Sequence, residues 1–414
     1  MSIMGAAVSG MTADTNWISS ISQNVANANT TGYKNAETNF STLVAQASDN
    51  SDNMMGVQAS VRSLIALQGS VVGASTTTDL AVQGAGYFIV SNSAGQLYLT
   101  RNGSFVPDAS GNLVNSAGYY LMGFNESTGG SDAAANSLTG LEQVNVTSSG
   151  ETASPTTSAS ITANLPASAS VVNAADLPSQ NNANSTYTDK TTLVTYDNLG
   201  GAHTIDIYYS MTGTDTWEID AFDDSTAAAG GGFPYSSGPL ATGTLTFNPT
   251  NGTLTGGSPF SFTVPGGQTV SVDLSTNTQL ASAFAVSSAS ANGNAPGTLT
   301  SVSIGTDGTL SFQFSNGSTR PAYDIPLATV PSPDNMTLAN GDAYEANYES
   351  GPMRVGVAGT AGFGVIQSSS LEDSTVDLAT ELTDMIQAQS AYEANSKVFQ
   401  TAANLLDVLN GLKA

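Results

Sequence analysis

The sequence predicts a multidomain fold of α plus all-β type, with a helix at each end and β-structure between, and three observations lead there. Both ends carry apolar residues at helical spacing and little glycine, whereas the middle is made of short β-branched and aromatic runs separated by Gly, Thr and Asn. The length, 414 residues, leaves room for about three domains of ordinary size.

The elements follow in chain order. Val8, Met11, Ile18, Ile21, Val25 and Ala28 form one stripe, so the first helix should end near Thr31-Gly32, where glycine can take the left-handed conformation. Residues 32–75 read as an extended linker with weak packing of its own, holding a polar stretch from Ser48 to Asn53. From Thr78 the pattern turns to strands, beginning with 87–90 and punctuated at Ala94-Gly95, Asn102-Gly103 and Ser110-Gly111. Ser, Thr, Ala and Asn crowd residues 147–186, which read as loop and edge-strand material at a boundary. Strands are expected again at 204–209, 217–221, 244–247, 302–304 and 310–314, with Asp307-Gly308 turning the last pair, so the centre is all-β in two domains.

Near the C-terminus Leu378, Leu382, Met385, Gln389, Tyr392, Ser396, Phe399, Ala403 and Leu406 step alternately by four and three. That period favours left-handed supercoiling, hence a coiled coil, over about 40 Å of helix at ~1.5 Å per residue. Ser374 and Thr375 ahead of Val376 and Asp377 predict an N-cap near residue 374. Polar residues interrupt both terminal stripes, so neither helix is expected to persist alone in water. Two partners fit: the other end of the same chain, as a helical hairpin packed on the β-structure, or other copies of the chain.

Composition removes whole classes of function. Eight Lys and Arg against 33 Asp and Glu give a net charge of −25, which repels phosphate backbones and anionic lipid, so no nucleic acid is expected as a partner. With no cysteine and a single histidine, His203, there are no disulfides, Fe–S clusters or Cys/His zinc sites. No unbroken apolar run reaches the ~18 residues of a membrane span, so no membrane insertion is expected, and the absence of an apolar region before Lys34 predicts no cleaved secretory signal.

The search for catalysis ends in structural readings. His203 lacks a Gly-x-Ser-x-Gly elbow and reads as a solvent-facing strand residue. Glu218 and Asp220 could serve as a glycosidase pair, as could Asp223 and Asp224. Period-two alternation instead makes Glu218 and Asp220 a solvated strand face opposite Trp217 and Ile219. No calcium loop is present, and Gly84-Ala85-Gly86 is a turn before a strand, too short for a dinucleotide loop. No enzyme activity, cofactor or metal ligand is therefore expected.

Residues 22–34, Ser-Gln-Asn-Val-Ala-Asn-Ala-Asn-Thr-Thr-Gly-Tyr-Lys, resemble the N-terminal signature of the bacterial flagellar axial proteins, the rod, hook and hook-associated family. In it stand Asn24, Asn27, Asn29, Thr31, Gly32, Tyr33 and Lys34. The C-terminal stretch containing Leu371, Glu372, Val376, Asp377, Gln389 and Asn395 is similar to the family's closing motif, with Thr375 where the family usually has Asn. Stretches 79–88 and 100–119 match as well, and Tyr196 to Gly200 with His203 and Trp217 resemble the outer domain of the hook branch.

The resemblance implies a nested chain. Residues 1–31 and 371–414 would be the helical coiled-coil domain, 32–75 the linker, 76–150 with 296–370 an inner β domain, and 151–295 an inserted outer β domain. It implies a self-assembling hook subunit, a curved tube carrying torque as a universal joint, outside the cell. Its partners would be further copies of the chain, the distal rod, the hook cap, the hook–filament junction, the length-control protein and the type III export apparatus. Val8, Met11, Ile18, Ile21, Val25, Leu378, Leu382, Met385, Tyr392, Phe399 and Leu406 are the expected self-assembly residues. A distal-rod or other axial subunit is the nearest rival; a secreted β-rich adhesin or surface-layer protein shares the composition but leaves the terminal motifs unexplained.

Overall fold

The structure is a computed structural model that describes residues 3–44, 54–126, 138–147, 152–360 and 362–412. The polar stretch 48–53 lies outside these residues. The chain divides into two compact units, one of Met1–Ser148, Ser301–Phe312 and Arg320–Ala414, the other of Ser149–Thr300 and Gln313–Thr319.

In the first unit, helix α1 spans Ile3–Ala26 and helix α2 spans Leu378–Leu412. Asp14 meets Asn395 and Asn24 meets Glu381, so the two run antiparallel. α1 stops at Ala26, short of the expected end, and the chain runs on through turns to Gly32, whose left-handed backbone (φ +76°) makes a tight passage against Asn102. A β-carbon there would lie 2.7 Å from the Asn102 nitrogen.

The start of α2 is likewise displaced. Its cap is Asp377, whose carboxylate accepts the Ala379 amide at 3.0 Å and the Thr380 hydroxyl at 3.1 Å, because Thr375 is already hydrogen-bonded to Asn35.

The linker expected to pack weakly is in part a β-hairpin, Ala36–Val44 against Met54–Ser63, laid along α1. Trp17 meets Phe40 edge-on at 5.6 Å, and the hydroxyls of Ser20 and Thr38 lie 2.6 Å apart. Beyond it, Tyr87–Ser91 is buried at every residue and pairs with Leu97–Thr100, Tyr120–Asn125 and Leu327–Thr329. Ile65, Tyr87, Ile89, Leu99, Met122 and Tyr344 are among the side chains of this core.

The second unit holds two five-stranded sheets that share one core. Ile205, Ile207 and Tyr209 of Ala202–Gly213, with Trp217 and Ile219 of Thr216–Asp223, meet Ile161, Leu165, Val270 and Val272 of the other sheet. Residues 147–186 hold more than loop and edge strand: Thr152–Ser154 pairs only with Asn294–Gly297, but Ser158–Pro166 pairs on both sides, parallel to Thr269–Asp273 and Thr278–Leu280 and antiparallel to Ala285–Ala291. Its inward residues Ala159, Ile161, Ala163 and Leu165 alternate with Ser, Thr and Asn, and the two alanines hide the period in the sequence.

Two further expectations fail here. The face carrying Glu218 and Asp220 is not solvated. Phe233 and Tyr235, from the segment after Thr216–Asp223, pack on Tyr208 and Phe222, and Asp220 is wholly buried. His203 does not simply face solvent either, since its ring sits between Asp197 at 3.5 Å and Asp223 at 3.4 Å and is 22% exposed.

Candidate functional site

The sequence motifs of the two chain ends converge on one polar root beneath the helix pair. Asn24, buried on α1, uses its whole hydrogen-bonding capacity. Its Nδ2 donates to the Ala36 carbonyl at 2.9 Å and to Glu381 Oε1 at 2.8 Å, while its Oδ1 accepts the Ala36 amide at 2.9 Å and the Tyr33 hydroxyl at 3.2 Å. One amide thus fixes α1, the hairpin and α2 together. Burial pushes the Glu381 carboxyl above its ordinary range, with the Asn24 hydrogen bond acting against the shift.

Next to this amide lies a buried ionic triad. Glu372 accepts from the Lys34 ammonium and the Gly69 amide (2.7 Å) on one oxygen, and from Arg101 Nη1 at 3.1 Å on the other. Arg101 also donates to the carbonyls of Val82 (3.1 Å) and Gly84 (2.7 Å) and lies over the Tyr87 ring at 4.9 Å. All three charged side chains are at most 5% exposed. Burial lowers the Lys34 ammonium from its ordinary range and Glu372 pulls it back up. The same burial lifts the Tyr87 hydroxyl to about 12. Two cations on one carboxylate, with further acceptors for both, is a geometry in which a buried charge cluster is tolerated.

The remaining motif residues stand around this root. The Gly32 amide donates to the Glu372 carbonyl at 2.8 Å, and the Thr375 amide to that of Tyr33 at 3.2 Å. Leu371 pairs with Val72, and Asn27 folds back on Gln23. Asn395 donates to Asp14 at 2.8 Å and sits against Gly10, where a β-carbon would approach its amide to 2.6 Å. Thr31 and Val376 are half-buried, whereas Asn29, Asp377 and Gln389 are exposed.

The apolar residues singled out in the helices are placed otherwise. The face that α1 buries is Ala7, Gly10, Ala13, Asp14, Ser20, Ile21 and Asn24, and on α2 the inward positions recur every seven residues at Glu381, Ala388, Asn395 and Ala402. On α1 most of the expected stripe lies one residue, about 100°, round the helix from these, whereas on α2 Met385, Tyr392, Phe399 and Leu406 lie four residues on from the inward positions, about 40° round, and Leu382 lies one residue on. Of the expected residues only Ile21 is buried; Met11, Ile18, Val25, Met385 and Phe399 are half-buried, and Val8, Leu378, Leu382, Tyr392 and Leu406 are exposed. Ile386, Val398, Leu405 and Val408 add to that outer apolar surface.

Sequence reasoning missed Asp14, Arg101 and Glu381 as partners of the motif residues. Asp14 and Glu381 break the apolar pattern, which is a signal, but the union of Arg101 with Glu372 spans 271 residues and leaves no local trace. A cavity of about 300 Å³ opens beside the root, lined by Trp17, Ile21, Phe40, Glu381 and Asp384 among others. Among the described residues no three His, Asp or Glu side chains converge as a metal site, and no helix is long and apolar enough to cross a membrane.

Comparison with known proteins agrees along the chain. Residues 4–34 match the flagella basal body rod protein model, 81–164 the flagellar hook protein FlgE/F/G D1 domain, 164–294 the flagellar basal body protein FlaE D2 domain, and 367–412 the flagellar basal body rod FlgEFG protein C-terminal model. The flagellar hook protein FlgE of Brucella abortus is 42% identical over 99% of this chain and 98% of its own length. That of Rhizobium meliloti is 40% identical with the same coverage. The crystal structure of Helicobacter pylori flagellar hook protein FlgE2 superposes with a TM-score of 0.53 at 15% identity, covering 73% of this chain and all of that one. The chain belongs to the flagellar hook protein FlgE family, whose members are structural subunits of the hook.

Proposed function

We propose that this hook subunit polymerises head to tail through its terminal helices into a curved tube that works as a universal joint between rod and filament. The observation that carries the reading is the outer apolar surface of α1 and α2. Val8, Leu378, Leu382, Ile386, Tyr392 and Leu406 are left in water by a helix pair whose mutual interface is made of small and polar residues. A soluble chain gains by covering such a surface, and a non-closing contact between identical copies generates a helical polymer. The nested organisation given above, with 151–295 inserted as the outer β domain, supplies the joint's outer part. Partners are further copies, the distal rod, cap, junction and length-control proteins, and delivery is through the type III export apparatus; these rest on family resemblance.

Negative-stain electron microscopy of the full-length chain under salting-out conditions tests this reading. Curved tubes are expected, and Phe399→Asp or Leu406→Asp should abolish them while the monomer's circular dichroism stays unchanged, because a charge would enter the covered surface. Straight tubes would favour the distal rod, and tubes unaffected by either substitution would refute assembly through these faces. Removing residues 151–295 should leave the first unit folded; its collapse would refute the insertion.

A further inference from the structure

In the second unit, on the face of Thr216–Asp223 turned away from the main core, Glu218 and Asp220 stand two residues apart and project to the same side. Asp220 is wholly buried and Glu218 half-buried, yet Glu218 Oε1 and Asp220 Oδ2 are each shut from water without a hydrogen-bond partner. Ionised carboxylates only accept hydrogen bonds, so two of them side by side cannot satisfy each other. Every packed element leaves the pair without a counter-charge. Across the sheet, Glu218 faces Ser210 and Thr244, and Asp220 faces Tyr208 and Thr242. Thr242 donates its hydroxyl to Asp220 Oδ1 at 2.6 Å, whereas the Ser210 hydroxyl makes no hydrogen bond. The nearby cation, Lys190 on Asp189–Tyr196, is held by Asp206 at 2.7 Å and lies over the Tyr208 ring, and the covering Tyr235 gives its hydroxyl to the same Asp206.

We propose that Glu218 and Asp220 hold a single proton between them under mildly acidic conditions, an acid–carboxylate pair that makes the second unit sensitive to pH. The protonated Asp220 carboxyl donates to Glu218, and one proton satisfies both orphaned oxygens. On deprotonation the proton leaves to water by way of the half-exposed Glu218, and two anions remain side by side in a site with no cation. Burial raises the Asp220 carboxyl above the usual carboxylate range; the Thr242 hydrogen bond opposes this and the Glu218 charge adds to it. A carboxyl raised in the folded state holds a proton that the unfolded chain has released. Stability therefore falls as pH climbs from the ordinary carboxylate range toward neutrality and stays low above it. The inference is independent of the assembly reading, because it concerns a single folded chain.

The test is thermal unfolding of the full-length chain from about pH 5 to about pH 8, a window above ordinary carboxylate titration. Trp217, wholly buried in this unit, reports by fluorescence in a Trp17→Phe background. The midpoint should drop by several degrees across the window, and the slope should flatten in Asp220→Asn and in Glu218→Gln. If one of these variants fails to fold, the other decides. An infrared carbonyl band of a protonated carboxyl, present in the unsubstituted chain at about pH 6 and absent from the variant, is expected alongside. A flat profile, or a slope that both variants keep, overturns the proposal. So does a midpoint raised by Ca²⁺ at the upper end of the window and lost with Asp220→Asn, since the pair would then hold a cation in place of the proton.

Discussion

The helix pair and the two-sheet unit bury their side chains on opposite principles. The sheets enclose Trp217, Ile205, Ile207, Val270 and Leu245 with no exposure, so their apolar surface is spent within the chain. The helices join through Ala7, Gly10, Ala13, Ala388 and Ala402 with Asn24, Glu381, Asp14 and Asn395, and turn leucines outward. Helices of this kind hold their place by a few directional polar contacts at the root and have apolar area to spare. A region that is complete alone and a region that is incomplete alone should answer differently to the same kind of damage.

Four substitutions sharpen that contrast. The largest effect is expected from Glu372→Ala, which strands Lys34 and Arg101 as buried cations and should cost about 3–5 kcal/mol, unfolding the first unit at lower temperature while the Trp217 fluorescence transition stays put. Trp217→Ala should cost a comparable 3–5 kcal/mol, roughly, but in the second unit alone, as read by differential scanning calorimetry. Equal shifts of both transitions in either variant would break the comparison. Asn24→Ala leaves the Ala36 backbone groups and Glu381 without their partner and should cost about 1–3 kcal/mol in chemical denaturation of the first unit. Smallest for the monomer is Leu382→Asp, within about 0.5 kcal/mol because the side chain is 53% exposed, yet sedimentation should show polymerisation lost. A large loss of monomer stability there would mean the outer face is already used within the chain.

The terminal helices and most strands were legible from period alone, down to the turn at Gly308, whose φ of +92° suits only glycine well. Which side of each helix faces its partner was not. Val8, Leu378, Leu382 and Leu406 stand out in the apolar pattern and lie outside the chain's own packing, while the internal contact is written in alanine, glycine and asparagine. Ser158–Pro166 was misread for the same reason, since alanine contributes little to a visible alternation. The buried state of Asp220 was hidden because the cover over its face, around Phe233 and Tyr235, lies in a glycine-rich stretch that reads as loop. The polar root escaped because its members are brought together by the fold across hundreds of residues.

That separation sets an order of events. Glu372 lies 338 residues from Lys34 and 271 from Arg101, so a chain that emerges from its N-terminus, as from a ribosome, presents both cations well before their shared anion. Until then the two positive side chains have no buried counter-charge, and closing them into the interior is opposed by desolvation. The triad is thus a late clasp. In a chain that emerges N-terminus first, this contact can be completed only after Glu372 has followed.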